Sequence, residues 1–443
     1  MLKVNAFQAE HADALDSAQR AMVERRQRLL GPAYQLFYEQ PLHLVSGSGA
    51  CLQDASGRTY LDLYNNVASV GHCHPRVVRA LAEQAAQLNT HTRYLHEGVL
   101  DYAEKLLATL PTALSQAMFT CTGSEANDLA LRIARDYSGG TGVIVTRYAY
   151  HGMTLAIAEL SPSVGNYVPL SRDCRVVDAP LHDPLHPERV GLAFAAQVRA
   201  AIADLQRHGI RPAALLVDTL FTSDGVFADP PGFLAPAVEA IREAGGLFIA
   251  DEVQPGFART GSHMWGFERH GLVPDLVTMG KPMGNGHPLA GLAVRPHIVQ
   301  RFGQHASYFN TFGGNPVSAA VGLAVLQVIE EEGLQANALR VGGLLMQGLQ
   351  SLAADHPQLA EVRGAGLFLG VDVRQPASGE MDPATARRIV NLLRDEGMLI
   401  GVAGAATSTL KIRPPLCFSQ DQAGQFLDAL ERVLRRLQGP RQH

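Results

Sequence analysis

Residues 247–261 have the sequence LFIADEVQPGFARTG, which is the most informative segment of the chain. Four apolar residues lead into Asp251 and Glu252, so the segment predicts a buried strand that ends in two carboxylates. Ligands of open α/β sheets bind beside the carboxyl ends of such strands. Because a buried carboxylate without a partner is costly, we expect Asp251 to face a cation such as a protonated pyridine nitrogen, with a salt bridge or a metal site as the alternatives.

Similar apolar runs occupy residues 117–120, 142–147, 213–217 and 276–279, and helical patterns separate them. Buried strands that alternate with helices predict an α/β domain with a mostly parallel sheet. Helices are expected over 17–30, 316–356, 383–397 and 420–438, and short strands over 42–64, 366–373 and 410–412. We therefore expect a large domain over residues 66–315, a smaller α+β domain over 316–443, and an N-terminal segment, 1–65, that packs with the small domain.

Composition excludes several classes of protein. The formal net charge is −5 and no run of Lys or Arg occurs, so no nucleic-acid partner is expected. The apolar stretches are short and interrupted, so no membrane-spanning helix is expected, and the charged first ten residues are unlike a secretory signal. The five cysteines are widely spaced without a CxxC motif, which favours free thiols in a reducing compartment, the cytoplasm.

A second motif, MFTCTGSEAND at residues 118–128, combines a strand, a turn of small residues and a helix start. Such a turn directs backbone N–H groups and a helix N-terminus at an anion, typically a phosphate. Gly123 permits a close approach of the backbone and Ser124 adds a hydroxyl group. An ordinary capped turn with Ser124 as the N-cap is the alternative.

Lysine is rare in this chain, which has only Lys3, Lys105, Lys281 and Lys411 among 37 basic residues. Lys281 follows a predicted strand in the segment LVTMGKPMGNG at 276–286, thirty residues beyond Asp251. A lysine amine can form a Schiff base, which arginine cannot do, and its pKa falls among apolar walls and other cations. An exposed surface lysine is the alternative.

These three motifs, together with Tyr150-His151-Gly152 and the segment NTFGGN at 310–315, resemble the class III aminotransferase family of pyridoxal-phosphate enzymes. The five motifs follow the family's order, and the resemblance extends from about residue 31 to residue 437. It implies the fold type I architecture of a large and a small domain. It also implies a homodimer whose active sites are shared between the subunits.

The resemblance assigns roles to individual residues. Lys281 would bind the cofactor covalently and carry the substrate proton, and Asp251 would pair with the ring nitrogen of the cofactor. The other cofactor contacts would come from Tyr150 and Val253 on the two ring faces, Gln254 at the ring hydroxyl, Gly123 and Ser124 at the phosphate, and Thr311 of the partner subunit at the same phosphate.

The substrate is expected to be a small amine. Family members that act on α-amino acids hold the carboxylate with an Arg, and in the segment TLKIRPPL at 409–416 the matching position holds Lys411, with Arg413 two residues further on. Asp218 stands where the family often has a Glu, with no predicted consequence for specificity. Arg93, in a loop before a helix, is a further candidate for binding an anion, with a purely structural role as the alternative.

Within the family, the segments at 64–75, 89–96, 279–288, 309–316 and 410–418 are most similar to the ethanolamine-phosphate phospho-lyase subgroup. The resemblance implies a lyase that eliminates the β-substituent of a small phosphorylated or phosphonate amine. The candidates are conversion of phosphoethanolamine to acetaldehyde, ammonia and phosphate, and ammonia loss from 1-hydroxy-2-aminoethylphosphonate. An omega-aminotransferase is the first alternative, and a non-catalytic binding module is the second. The segment GHCHP at 71–75 lacks metal-ligand spacing, so no metal is expected.

Overall fold

The computed structural model describes residues 5–165, 167–180, 183 and 185–438. The start of the N-terminal segment, residues 1–4, and the end of the predicted small domain, residues 439–443, lie outside the described residues. None of the helices in the described part of the chain is long and apolar enough to cross a membrane.

A seven-stranded sheet forms the centre of the molecule, in the order β4-β10-β9-β8-β7-β5-β6. All its pairings are parallel except those of β10, which is antiparallel to β4 and β9. The predicted α/β fold with a mostly parallel sheet is therefore confirmed, although β6 and β10 were not predicted. The strands are β4 (Gln116–Thr120), β5 (Gly142–Thr146), β6 (Cys174–Val177), β7 (Pro212–Asp218), β8 (Leu247–Asp251), β9 (Leu276–Met279) and β10 (Ala290–Val294).

Helices cover this sheet. Five of the helices in the described residues begin with proline, whose fixed φ and missing N–H suit the first turn. Helix α4 begins instead after Thr122, which forms a capping box with Glu125. Up to α8 the helices are α1 (Ser17–Leu30), α2 (Pro75–Gln87), α3 (Glu97–Leu107), α4 (Gly123–Ser138), α5 (Leu155–Ala158), α6 (Pro187–Arg207), α7 (Ala235–Glu243) and α8 (Pro296–His305). Short 3-10 helices lie at Ala9–Ala14, Pro162–Val164, Gly266–His270 and Lys281–Gly284.

Two smaller sheets complete the fold. One joins strands from both ends of the chain, because β13 (Met398–Leu399) pairs in parallel with β3 (Thr59–Asp62), which follows β1 (Leu44–Ser48) and β2 (Cys51–Asp54). The other has the antiparallel order β11-β12-β15-β14. Its strands are β11 (Leu359–Ala365), β12 (Phe368–Val373), β14 (Gly401–Ala403) and β15 (Thr409–Ile412), and the C-terminal helices are α9 (Pro316–Glu331), α10 (Leu334–Asp355), α11 (Pro383–Asp395) and α12 (Gln420–Gln438).

Helix α9 packs against α2 and α3 of the preceding part of the chain, whereas α10 packs against β11 and α12. The predicted domain boundaries at residues 65 and 315 stay a prediction. Strand β15 matters for the site, because it carries Lys411 and leads directly into Arg413.

Candidate active site

The carboxyl edge of the large sheet brings the main candidates together. In the sheet register, Asp218 of β7 pairs with Asp251 of β8, and Asp251 pairs with Thr278 of β9. Lys281 lies three residues beyond Thr278, at the start of a 3-10 turn. Because the three strands are parallel neighbours, two acidic residues and a lysine meet at one edge although they are distant in sequence.

Asp251 is held by hydrogen bonds on both carboxylate oxygens. Its Oδ2 lies 2.7 Å from Nδ1 of His151 and accepts a hydrogen bond from Nδ2 of Asn127 at 2.9 Å. Its Oδ1 accepts from the Val253 amide at 3.1 Å. Asn127 is itself fixed, because its Oδ1 accepts a hydrogen bond of 2.6 Å from Thr278. The side chain of Asp251 is therefore held in one orientation at the wall of the cavity.

Glu252, the other carboxylate of the strand end, points away from the cavity. It is fully buried, and its oxygens accept hydrogen bonds from the Thr219 hydroxyl and from the amides of Gly266 and Phe267. Burial raises the pKa of Glu252 to about 8 despite these donors. This carboxyl group therefore stabilises the turn after β8 and has no place in the site.

Lys281 faces the cavity from the end of β9. Burial, and in second place the charge of Arg413, lower the pKa of Lys281 to about 8. Its amine forms no hydrogen bond with any described residue. A lysine with these properties is available as a nucleophile and as a base at mildly alkaline pH.

The N-terminus of α4 opens onto the same cavity. Thr122 is the N-cap, so the alternative with Ser124 in that position is wrong. Among the described residues, the amides of Gly123 and Ser124 donate no hydrogen bond, as expected of a helix start prepared for an anion. The Ser124 hydroxyl accepts a hydrogen bond of 3.0 Å from the Met153 amide. At Gly152, with φ of +139°, a Cβ would lie 2.5 Å from the Ser124 hydroxyl.

Two cavities meet at Lys281. The first, of about 210 Å³, contains seven of the eight predicted cofactor contacts in its lining: Gly123, Ser124, Tyr150, Asp251, Val253, Gln254 and Lys281. The second, of about 290 Å³, shares Tyr150, Gln254 and Lys281 with the first. It also reaches Lys411 and Arg413, together with Phe37 of the N-terminal segment.

Gln254 connects the two cavities. Its Nε2 donates a hydrogen bond of 2.6 Å to the Thr222 hydroxyl. Its Oε1 accepts from Nη1 of Arg413 at 2.7 Å and from Nζ of Lys411 at 3.4 Å. Lys411 and Arg413 therefore project from β15 and its end toward the same atom, as their spacing of two residues predicts.

Asp218 is an acidic residue whose charge interacts with Lys411. Burial and the neighbouring charge of Asp251 raise the pKa of Asp218 above its ordinary value. Both of its oxygens accept hydrogen bonds, from the Leu220 amide and from the backbone and hydroxyl of Thr222. Burial and the charge of Arg413 lower the pKa of Lys411 well below its usual range.

The structure does not bring Arg93 and Thr311 to these cavities. Both residues are exposed, and the Arg93 guanidinium lies 3.8 Å from the ring centre of Phe309. In the segment GHCHP, His72 pairs with Asp62 and His74 pairs with Glu332, so the two imidazoles do not converge. Across the described residues, no group of three or more potential metal ligands is found.

Sequence reasoning missed Asn127, Thr222 and Asn66 as parts of the site. It included His151 in a motif without assigning it a role. Asn127 lies one turn into the phosphate-binding motif, and its spacing from Gly123 is a usable signal. No local signal indicates Asn66, which reaches the site only because it contacts Arg413 over 347 residues of sequence.

Residues 37–434 match the family model for aminotransferase class III, and the chain belongs to this family. It is 39% identical over 421 residues to alanine–glyoxylate aminotransferase 2-like of Drosophila melanogaster, covering 91% of this chain and 85% of that protein. It is 35% identical over 435 residues to ethanolamine-phosphate phospho-lyase homolog 1 of Caenorhabditis elegans, covering 93% of each.

Solved structures give the same assignment. A phospholyase from Arthrobacter in complex with phosphoethanolamine has a TM-score of 0.91 and 42% identity, covering 94% of this chain and 99% of that one. An amine transaminase from an uncultivated Pseudomonas species in the PLP-bound form has a TM-score of 0.82 and 28% identity, covering 90% and 95%. The chain is thus a fold type I enzyme of the class III aminotransferases, and its cofactor is pyridoxal phosphate.

The residues of the first cavity fit this cofactor. The free amides at the start of α4 suit its phosphate, the buried Asp251 suits a protonated ring nitrogen, and the lysine with a lowered pKa suits its aldehyde. Gly123 also suits a bound phosphate. A Cβ on this residue would lie 3.0 Å from Val253 and would leave less room for the cofactor phosphate.

Proposed function

We propose that this enzyme is a lyase that eliminates the β-substituent from a small phosphorylated or phosphonate amine. The preferred substrate is phosphoethanolamine, which with water yields acetaldehyde, ammonia and phosphate. 1-Hydroxy-2-aminoethylphosphonate, which loses ammonia, is the second candidate. Support comes from the similarity to a phospholyase that binds phosphoethanolamine, at 42% identity.

The observation that carries the proposal is the charge of the second cavity. Lys281, Lys411 and Arg413 line this cavity, and its described lining contains no acidic residue, whereas Asp218 lines the first cavity. A cavity with this excess of cationic groups favours a substrate whose far end is an anion. A small amine with a phosphoryl group brings its amine to Lys281 and its anion to this wall.

We propose roles in the reaction that the geometry of the site supports. Pyridoxal phosphate, when bound, supplies an electron sink for the electron pair that remains when a proton leaves the carbon next to the amine. Lys281 removes that proton, since its lowered pKa leaves a neutral amine available. Asp251 keeps the ring nitrogen protonated. The C–O bond to phosphate then breaks with its electron pair on the phosphate, and water converts the remaining two-carbon enamine to acetaldehyde and ammonia.

The remaining cofactor contacts are part of the same proposal. Gly123 and Ser124 bind the cofactor phosphate, Tyr150 and Val253 contact the two ring faces, and Gln254 donates to the ring hydroxyl. Thr311 joins the phosphate from the partner subunit of a homodimer. Its exposed position, next to the exposed side chain of Phe312, supports this arrangement.

An omega-aminotransferase that moves the amino group of an amine or amino acid to a keto acid is the alternative, supported by the 39% identity to an alanine–glyoxylate aminotransferase 2-like protein. The test is release of ammonia and phosphate from phosphoethanolamine without a keto acid. We expect equal amounts of both products, and none with Lys281→Ala. Turnover that requires an added keto acid would support the aminotransferase and overturn the lyase.

A further inference from the structure

Three cationic side chains are candidates for binding the anion of the substrate, and their surroundings distinguish them. We propose that Arg413, rather than Lys411 or Arg93, binds the phosphorus oxyanion through the guanidinium edge that carries Nε. This inference rests on the proposed function for the identity of the substrate. The binding of an oxyanion at Arg413 can be tested independently of turnover.

Arg413 is held in one orientation. Its Nη1 donates hydrogen bonds to Oδ1 of Asn66 at 3.1 Å and to Oε1 of Gln254 at 2.7 Å. The guanidinium carbon lies 4.7 Å from the ring centre of Tyr64, which is a stacking distance for a cation on an aromatic ring. Its backbone amide is fixed by a hydrogen bond of 2.7 Å to Leu63. A guanidinium fixed in this way is prepared for a ligand.

At least one buried donor of this fixed group has no partner among the described residues. Nε of Arg413 is buried and has no hydrogen-bond partner among the described residues, although the side chain lines the second cavity. A buried donor without an acceptor is costly, so an oxygen that binds there is favoured. The Nε edge of a guanidinium suits two oxygens of a phosphoryl or phosphonyl group. The unpaired donor therefore identifies the edge at which an oxyanion would bind.

Lys411 is occupied in a different way. Its Nζ donates a hydrogen bond of 2.9 Å to the carbonyl of Thr222 and lies 3.4 Å from Gln254 Oε1, above the ring of Phe368. An ammonium is a point charge without the planar fork of arginine. We therefore assign Lys411 a positioning role: it holds Gln254 and Thr222.

Arg93 is placed at the surface of the chain. Its guanidinium stacks on Phe309, and its loop residues do not line either cavity next to Lys281. A contribution from Arg93 would need the partner subunit, whereas Arg413 is already in the same cavity as Lys281. The position of Arg413 thus requires no second chain to explain recognition of the anion.

The test uses the holoenzyme and inorganic phosphate as the probe. In Arg413→Lys the charge stays but the fork is lost, so we expect the dissociation constant of inorganic phosphate, measured by isothermal titration calorimetry, and the KM for phosphoethanolamine to rise by about ten- to hundredfold. Asn66→Ala keeps Arg413 and releases one of its anchors, so a smaller rise of both constants is expected. Arg189→Lys, at an exposed position, is the matched control and should change neither constant. Retained visible absorbance of the bound cofactor reports that each variant has folded.

The outcomes separate this inference from the proposed function. If the wild type binds inorganic phosphate and Arg413→Lys weakens it, but phosphoethanolamine is not consumed, the oxyanion site stands and the proposed substrate is wrong. If phosphoethanolamine is consumed and Arg413→Lys leaves both constants within about twofold, Arg413 is not the oxyanion ligand. Weakening by Lys411→Met or Arg93→Ala alone would assign the role to that residue and overturn the inference.

Discussion

Nδ1 of His151 lies 2.7 Å from Oδ2 of Asp251, and the two side chains are only 1% and 5% exposed. This hydrogen bond, shielded from water, holds both groups in one orientation. His151 also presents Nε2, which is buried and without a partner among the described residues. In the proposed site Asp251 faces the ring nitrogen of the cofactor, so we propose His151 as a positioning residue for Asp251.

Asp251→Asn should lower kcat by at least about a hundredfold, since an amide cannot keep the ring nitrogen protonated and the ring then accepts the electron pair less well. His151→Gln should lower kcat by about tenfold and leave the KM for the substrate little changed, because it removes only the group that orients Asp251. Steady-state kinetics with the cofactor in excess measures both effects. His208→Gln, at an exposed helix end, is the control. Asp251→Asn with more than a tenth of wild-type kcat would contradict the assigned role.

The amine of Lys281 should react with pyridoxal phosphate at lower pH than an ordinary lysine. Burial and the charge of Arg413 lower its pKa to about 8, so the reactive neutral form increases as pH rises toward 8 and is complete above it. In the apoprotein, the rate of cofactor attachment should therefore increase about tenfold per pH unit below 8 and then level off. Stopped-flow absorbance measures this rate.

A blocked lysine peptide provides the control for this measurement, since its amine keeps a pKa of about 10.4 and its rate should still increase at pH 9. If the attachment rate of the apoprotein levels off only above pH 10, the environment of Lys281 does not lower its pKa and the prediction is wrong. Lys281→Arg should bind the cofactor without becoming linked to it by borohydride reduction.

Gly152 should be required for binding of the cofactor phosphate. Its φ is +139°, and a Cβ there would lie 2.5 Å from the hydroxyl and 2.7 Å from the Cα of Ser124. Gly152→Ala must therefore displace Ser124 and the start of α4. We expect the dissociation constant of the cofactor to rise by about tenfold or more, measured by absorbance titration of the apoprotein.

Gly209→Ala is the matched control, since its φ is also positive, at +71°, and no atom lies within 4 Å of the added Cβ. It should lower the midpoint of thermal unfolding through backbone strain while the affinity for the cofactor stays the same. Equal loss of affinity in both variants would mean that general destabilisation, and not the contact with Ser124, explains the effect.

The sequence predicted those parts of the site that lie at strand ends. Asp251 and Lys281 follow fully buried apolar runs, and such runs fix both the strand and the edge at which it ends. Strand β10 was not predicted, because it pairs antiparallel between β4 and β9 and the loop before it gives no helical crossover pattern.

Sequence patterns could not predict contacts between distant segments of the chain. Asn66 meets Arg413, and Thr222 meets Lys411, only after the small domain has folded against the large one. The N-cap is Thr122 and not Ser124, two residues later, because both residue types are favourable N-caps and only Thr122 forms the capping box with Glu125.

Thr311 gives the sharpest test of a shared active site. It is exposed and lies outside the cavity of Lys281 in its own chain, so its proposed contact with the cofactor phosphate must come from a second copy. In a hybrid dimer of one Lys281→Ala chain and one Thr311→Ala chain, one site contains both substitutions and the other contains neither. We expect a mixture of the two inactive or weakened variants to regain up to about a quarter of wild-type activity, because half the dimers are hybrids with one intact site of two. Co-expression with two affinity tags isolates the hybrid for assay, and activity no greater than that of Thr311→Ala alone would show that each chain completes its own site.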